Sequence, residues 1–435
     1  MPRWEIIPLP SRSYLIPPLI QTSFRSFNLR LVLACVLALA VSFPTGVISL
    51  GKALALVGTL GLLLMQAWRG RTSGAEVKSS AMDWTSVAVL IALAAMALSV
   101  SWTTAPLDEA VHAWVKHAKL ALVPALLLLL RTRREAVVAV GVFLAGQFGV
   151  LVISCLQGFL HVVMPFRTQA TPGRDFLVFA GHLDQPIMTS IATALFWHLR
   201  AHFMADARKA QTVALAVVVL AAINVLVVQF GRTGHLVAIS LTAAAVFWAI
   251  PRRFKLLAVL SPIVVAGAVA AGSSQVQQRM ALVWQETGSY TQSGNIESSS
   301  GERLNYWRRS LQAIAERPVA GFGVGSWNMQ YNRMEGGKGR FHTYQIRNPH
   351  QEFLLWMVEM GAIGLALLVG VFAAAARDAR QMRTPGRRAV ASVLIAMAVS
   401  CIFNSALYDA QIGDYLCVAL GLAMAIGWRT RDESA

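Results

Sequence analysis

Residues 352–376 read EFLLWMVEMGAIGLALLVGVFAAAA, a run of 25 residues with only two charges. A bilayer core of about 30 Å takes about 20 apolar residues as helix, and every backbone polar group in it must be bonded within the segment. The run is therefore read as a membrane-spanning helix. Stretches of the same kind recur along the chain, about twelve in all: 31–43, 47–68, 84–102, 110–130, 136–160, 186–204, 212–230, 234–250, 254–272, 352–376, 389–407 and 412–428. The first is short and ends at Pro44. No small-residue cleavage site follows it, so it reads as a retained anchor.

Composition agrees. A soluble chain of 435 residues would hold about three domains. Here hydrophobic residues make up 56% and charged residues 14%, with mean hydropathy +0.56, and that much apolar surface needs lipid. The formal net charge is +17, which points to nucleic acid, an anionic membrane surface or an anionic substrate. Position decides among them. Basic residues crowd one set of short connections: Arg69, Arg71 and Lys78; Arg131, Arg133 and Arg134; Arg208 and Lys209; Arg252, Arg253 and Lys255; Arg377 through Arg388. Those connections are expected in the cytoplasm, together with both termini. Most of the positive charge is thus a topology signal, and a nucleic-acid partner is not expected. The four cysteines sit in apolar runs and read as small buried residues.

The expected organisation is an all-α integral membrane protein of about 12 transmembrane helices. A cytoplasmic segment covers 1–30, spans 1 to 9 fill 31–272, a large outer loop covers 273–349, spans 10 to 12 fill 350–428, and a tail covers 429–435. A loop of that length in a compact bundle is functional or disordered. Within it, Ser299 and Glu302 stand as a capping box before a helix with Leu304, Trp307, Leu311 and Ile314 on one face, ending near Pro318. The run GFGVGS at 321–326 lacks the Lys-Ser/Thr of a phosphate loop and reads as turn chemistry.

The outer side also carries basic groups that topology does not require. Asn348-Pro349-His350-Gln351 opens the tenth span, which puts His350 in a first helical turn, with Asn348 as cap. Gly361 and Gly364 on the same stripe would let a neighbouring helix approach and hold the imidazole in a crevice. The helix dipole disfavours imidazolium there and, with Arg347 beside it, favours an anion, so a general base next to an anionic leaving group is the sharp reading. Gly231-Arg232-Thr233-Gly234 is a tight connection that pins Arg232 at the outer interface, where its fork suits phosphate oxygens; taken alone it could equally be a snorkelling arginine. His112, Lys116 and Lys119 fall on one stripe of the fourth span, where buried lysines face a cavity or a partner. Arg174, Asp175, His182 and Asp184 stand in the connection before the sixth span. His198 and His202 do not match the HExxH zinc pattern.

These motifs resemble the bacterial O-antigen ligase family, which also includes O-antigen polymerases and protein O-oligosaccharyltransferases. His350-Gln351, nine residues, then Gly361-Ala362-Ile363-Gly364 matches the family's His-[Asn/Ser/Gln]-x9-Gly-x-x-Gly pattern, and Arg232 to Leu236 matches its Arg-x3-Leu pattern. The tract from Arg303 through Gly321 to Asn348 looks like the family's large periplasmic loop. The resemblance, which covers roughly 229–364, implies a fold like that of C-type glycosyltransferases, an inner-membrane location and a site facing the periplasm. It implies transfer of O-antigen polysaccharide from undecaprenyl diphosphate to a sugar hydroxyl of the lipid A core, with inversion and without metal or cofactor. On that reading His350 is the base, and Arg232 holds the diphosphate, helped by Arg174, Lys119, Arg303, Arg347 or His182. An O-antigen polymerase and a protein O-oligosaccharyltransferase are the near alternatives. A transporter of an anionic lipid or solute is the distant one, and the placing of the candidate groups in the outer half only argues against it.

Overall fold

The structure, a computed structural model, describes residues 28–73, 83–160, 177–229, 231–255, 264, 267, 274–293, 298–335 and 348–432. Every extended element among them is helical. The first nine helices are α1 (Leu29–Ala40), α2 (Thr45–Ser73), α3 (Trp84–Ser99), α4 (Leu107–His117), α5 (Leu122–Leu129), α6 (Arg133–Leu160), α7 (Asp184–Leu199), α8 (Ala207–Ile223) and α9 (Arg232–Ala249). The remainder are α10 (Ser274–Ser293), α11 (Ser299–Glu316), α12 (Trp327–Met334), α13 (Glu352–Arg380), α14 (Thr384–Phe403) and α15 (Ala410–Asp432).

Eight described helical segments are long and apolar enough to cross a membrane: those built on α2, α3, α4 with α5, α6, α8, α13, α14 and α15. The other four expected spans differ for separate reasons. α1 has 12 residues, about 18 Å of helix, which is short of a bilayer core. α7 has 16 residues, and α9 opens on the polar turn Arg232-Thr233-Gly234-His235. The ninth span, 254–272, lies mostly outside the described residues.

α15 is buried almost throughout and forms the axis of the bundle, with α2, α5, α6, α7 and α14 around it. α13 packs against α3 and α14, and α9 against α7 and α14. Where α4 would run into α5 the helix tightens into a 3-10 turn at Ala118–Ala121. Pro124, one turn on, donates no backbone hydrogen bond, and its ring crowds the carbonyl of Leu120.

The helices of the expected outer loop do not float free. Tyr306 and Ala313 of α11 and Trp327 and Tyr331 of α12 share a buried cluster with Leu355 and Val358 of α13 and with Tyr408. Two local expectations change. The cap of α11 is Ser298, whose hydroxyl accepts from the Gly301 N–H at 3.0 Å, not Ser299. Its inner face carries Asn305, Tyr306, Ser310, Ala313 and the expected Ile314, with Trp307 packed at its edge, while Leu311 is exposed. The apolar stripe read from hydropathy is rotated because Asn305 and Ser310 find buried partners: Asn305 Nδ2 donates to the Tyr331 hydroxyl at 3.1 Å, and Ser310 Oγ accepts from Trp327 Nε1 at 2.8 Å.

Candidate functional site

Three backbone constructions meet at one end of the bundle. The first is the start of α9. A Cβ on Gly231 would overlap the His182 carbonyl oxygen, and one on Gly234 would overlap the Pro186 ring. Only glycine lets this turn lie on the start of α7, and the contact brings the His182 segment beside Arg232. Thr233 is buried and Arg232 is exposed, so the guanidinium projects away from the packing.

The second is a break in α13. Gly361 has φ +60° and ψ −149°, which interrupts the helical ladder. The segment 318–323 supplies the missing partners. Phe322 N–H donates to the Val358 carbonyl at 3.0 Å and Gly323 N–H to the Glu359 carbonyl at 2.7 Å, while Ala362 N–H donates to the Pro318 carbonyl at 2.7 Å and Ile363 N–H to the Val319 carbonyl at 3.2 Å. Gly321, Gly323 and Gly325 all have positive φ in this turn. A Cβ on Gly361 would overlap the Val319 carbonyl group. The glycine pair was expected to admit a neighbouring helix. Gly361 instead admits this crossing loop, and Gly364 lies against its own helix's Trp356 carbonyl. The GFGVGS run is turn geometry, as read. On its other side it is pinned by Ser99 Oγ, which accepts from Val324 N–H at 3.1 Å, and by the Glu359 carboxylate, which accepts from Gly325 N–H at 2.9 Å. The second Glu359 oxygen lies 3.2 Å from Nε2 of buried His117.

The third is the turn between α14 and α15. Glu352, fully buried, accepts from Leu407 N–H at 3.0 Å and Tyr408 N–H at 3.2 Å. Lys119, also buried, donates to the carbonyls of Asp409 at 2.6 Å and Tyr408 at 3.3 Å. An acid thus grips the donors of the turn and a base its acceptors. Lys119 was expected at a diphosphate, but its ammonium is turned to the backbone. Nor do His112, Lys116 and Lys119 share one environment. His112 is exposed and Lys116 lies over the Tyr408 ring at 4.2 Å, and the 3-10 turn after His117 takes Lys119 out of their register.

His350 sits where the second and third constructions meet. It was expected in the first turn of the helix and is instead just before it. Gln351 is the cap, its side chain accepting from Leu354 N–H. The Asn348 side-chain oxygen accepts from His350 N–H at 2.9 Å, and His350 holds φ +52°, the one described non-glycine residue with positive φ. Such a conformation is disfavoured for a side chain with a Cβ and persists where the surroundings over-determine it. The imidazole Nδ1 lies 2.9 Å from Asn404 Oδ1. Asn404 Nδ2 donates to Asp409 Oδ2 at 3.1 Å, and Asn348 Nδ2 donates to Asp409 Oδ1 at 3.3 Å. An ionised carboxylate only accepts, so Asp409 orients the Asn404 amide with its oxygen toward the ring. Nδ1 then carries a proton toward Asn404, and in the neutral form of the ring Nε2 holds the lone pair.

Cationic groups gather at the same end. Burial and the neighbouring Arg232 charge push Arg303 below its ordinary value, against Asp409 and Glu302. Two guanidiniums held within each other's field are relieved by a bound anion. Burial raises Asp409 above the ordinary carboxylate value, opposed by His350, Lys119 and Lys116. Burial also raises the phenols of Tyr306, whose ring lies 6.1 Å from that of His350, and of Tyr331, pushed up to about 12. Both tyrosines stay neutral near pH 7.

Of the residues singled out in the sequence, His350, Arg303, Arg232 and His182 come to this end, and Arg174 and Arg347 lie outside the described residues. Sequence reasoning missed Asn348 as an orienting group, and Asn404, Asp409 and Glu352 altogether. The signal available in the sequence is the pair Asn404-Ser405 and Asp409 in so short a connection between two apolar runs.

Residues 215–369 match the family model described as O-antigen ligase. The match runs from α8 through the break in α13, and so includes Arg232, Arg303, His350, Gly361 and Gly364. No curated protein matches the chain.

Proposed function

We propose that this chain, which carries the O-antigen ligase family's domain at residues 215–369, transfers a glycan from a lipid-linked diphosphate to a sugar hydroxyl, with His350 as general base. The donor is then O-antigen polysaccharide on undecaprenyl diphosphate, the acceptor is the lipid A core, and the site faces the periplasm from the inner membrane.

The observation that carries the proposal is the chain Asp409, Asn404, His350. It presents an Nε2 lone pair at the end of the bundle where Arg303 and Arg232 sit together. The acceptor hydroxyl gives its proton to Nε2 as its oxygen attacks the anomeric carbon. The bond from that carbon to the diphosphate oxygen breaks in the same displacement, and the configuration inverts. The leaving diphosphate gains one negative charge, which Arg232 and Arg303 stabilise without reorganising. Arg174 and Arg347 are kept as further candidates for this grip, and His182 for contact with the glycan. Lys119 acts in this reading by holding the Asp409 turn.

The test is a reconstituted assay with purified protein, a defined lipid-linked donor and a core acceptor. His350→Ala is expected to lose at least about 10³-fold in transfer while still folding. Transfer at the native rate would end the base assignment. Arg232→Lys keeps the charge and loses the fork, so a loss of about 10- to 100-fold is expected. If the wild type elongates a second lipid-linked glycan and ignores the core, the protein is a polymerase. Glycan appearing on a pilin-like protein acceptor would make it a protein O-oligosaccharyltransferase.

A further inference from the structure

A second concavity lies away from the His350 site. It is an apolar cavity of about 400 Å³ between α7, α8 and α9, walled by alanines such as Ala194, Ala222 and Ala245. Small side chains on all three helices leave the space open, and Leu215 and Leu226, which also line it, are exposed on the outside of the bundle. Trp197 and His198 line its end farthest from Arg232.

That end is ringed by cations and aromatics. The His198 ring meets the Trp248 ring edge-on at 5.3 Å. Arg388 of α14 donates to the Trp248 carbonyl at 3.0 Å, with its guanidinium 5.9 Å from the indole centre. Arg200 stands 4.6 Å over the Trp197 ring and donates to Gln211 at 2.8 Å. His198 lies in the field of both arginines. Among the described residues neither arginine has a carboxylate within ion-pair distance. From Arg232 to Trp248 along α9 is about 24 Å at 1.5 Å per residue, so this cluster is at the opposite end from the proposed catalytic site.

An apolar slot ending in unneutralised arginines at a membrane interface has the chemistry of a lipid site. The slot takes an acyl chain, and the cations and indoles take an anionic head group. We infer that α7, α8, α9 and Arg388 bind an anionic phospholipid, its chain in the cavity and its phosphate between Arg200 and Arg388. A polyprenyl donor does not satisfy this arrangement, because its diphosphate belongs at Arg232 and Arg303 and would leave the far cations without an anion.

The test uses full-length protein, delipidated in detergent and titrated with dioleoyl phosphatidylglycerol or dioleoyl phosphatidylcholine, with bound lipid counted by native mass spectrometry. Wild type should retain phosphatidylglycerol at least ten-fold more strongly. Arg200→Gln/Arg388→Gln should lose that preference while glycan transfer continues at the native rate. Ala245→Leu should weaken binding of both lipids by filling the slot. Melting temperatures of the wild type in the two lipids give a readout independent of the variants, and only phosphatidylglycerol should raise it. Equal retention of the two lipids by wild type overturns the inference. So does a raised donor KM in Ala245→Leu with phosphatidylglycerol retention unchanged, which would give the cavity to the donor's chain.

Discussion

Two turns bracket His350, and they are held in opposite ways. The turn at 318–325 is held by main-chain hydrogen bonds and by glycines in conformations that other residues avoid. The turn at 404–409 contains no glycine and is held by the buried side chains of Lys119 and Glu352. The first should reject any added Cβ. The second should accept one and reject the loss of either buried side chain, which would leave backbone groups of the turn unpaired in a low-dielectric interior.

The sharpest break should come at Gly323, whose φ is +87° and whose added Cβ would overlap the Thr103 backbone. Gly323→Val is expected to cost more than about 3 kcal/mol and to reduce the yield of folded protein severely, as measured by size-exclusion profile and thermal melt. A well-folded Gly323→Val protein would show that the turn is not held by its backbone.

Next in size is Asp409→Asn. With an amide in place of the carboxylate, Asn404 loses its fixed orientation and the His350 tautomer is no longer imposed. Turnover should fall about 10²-fold, with little change in melting temperature or donor KM.

The clamp itself can be split by a cycle. Lys119→Met leaves the Tyr408 and Asp409 carbonyls without that partner, and Glu352→Gln weakens the grip on the Leu407 and Tyr408 N–H groups. Each should lower kcat about 10-fold through the position of Asp409. The double variant should cost less than the product of the two, because each ion is most harmful when the other is left alone. Strict multiplicativity would separate the two groups.

Acid dependence gives a finer test. Burial holds Asp409 above the ordinary carboxylate value. As pH falls through that raised value the carboxyl takes a proton, no longer accepts from both Asn348 and Asn404, and turnover drops. Stability moves the other way. The native state binds this proton more tightly than the unfolded chain, so the group's contribution is greatest below the ordinary value and is lost as pH rises through the raised one. Asp409→Asn should abolish that stability trend. The smallest effect is expected at Leu311, which is exposed although hydropathy placed it on the packed stripe: Leu311→Gln should change stability by less than about 0.5 kcal/mol in detergent.

Several elements were open to sequence reading because they are local. The long apolar runs at α2, α6 and α13 set helices by length alone, and the GFGVGS run could be assigned to turn chemistry from glycine spacing. The histidine-glycine spacing drew attention to a segment whose glycine has another physical reason, since Gly361 breaks its helix to receive a loop and does not admit a neighbouring helix. Asn404 and Asp409 were passed over because neither has a motif around it. Their roles arise from partners 54 and 61 residues away.

The sequence by itself determined that the chain carries long apolar helices and that 321–326 is a turn, because hydropathy and glycine spacing are properties of short runs. It also singled out His350, Arg232 and Arg303. Only the tertiary structure decided that Lys119 grips carbonyls, that Asp409 orients Asn404, and that His350 consequently keeps its lone pair on Nε2. Those are pairings between groups far apart in the chain. A hydrogen bond acts only at about 3 Å and in one direction, so no spacing along a chain can specify it.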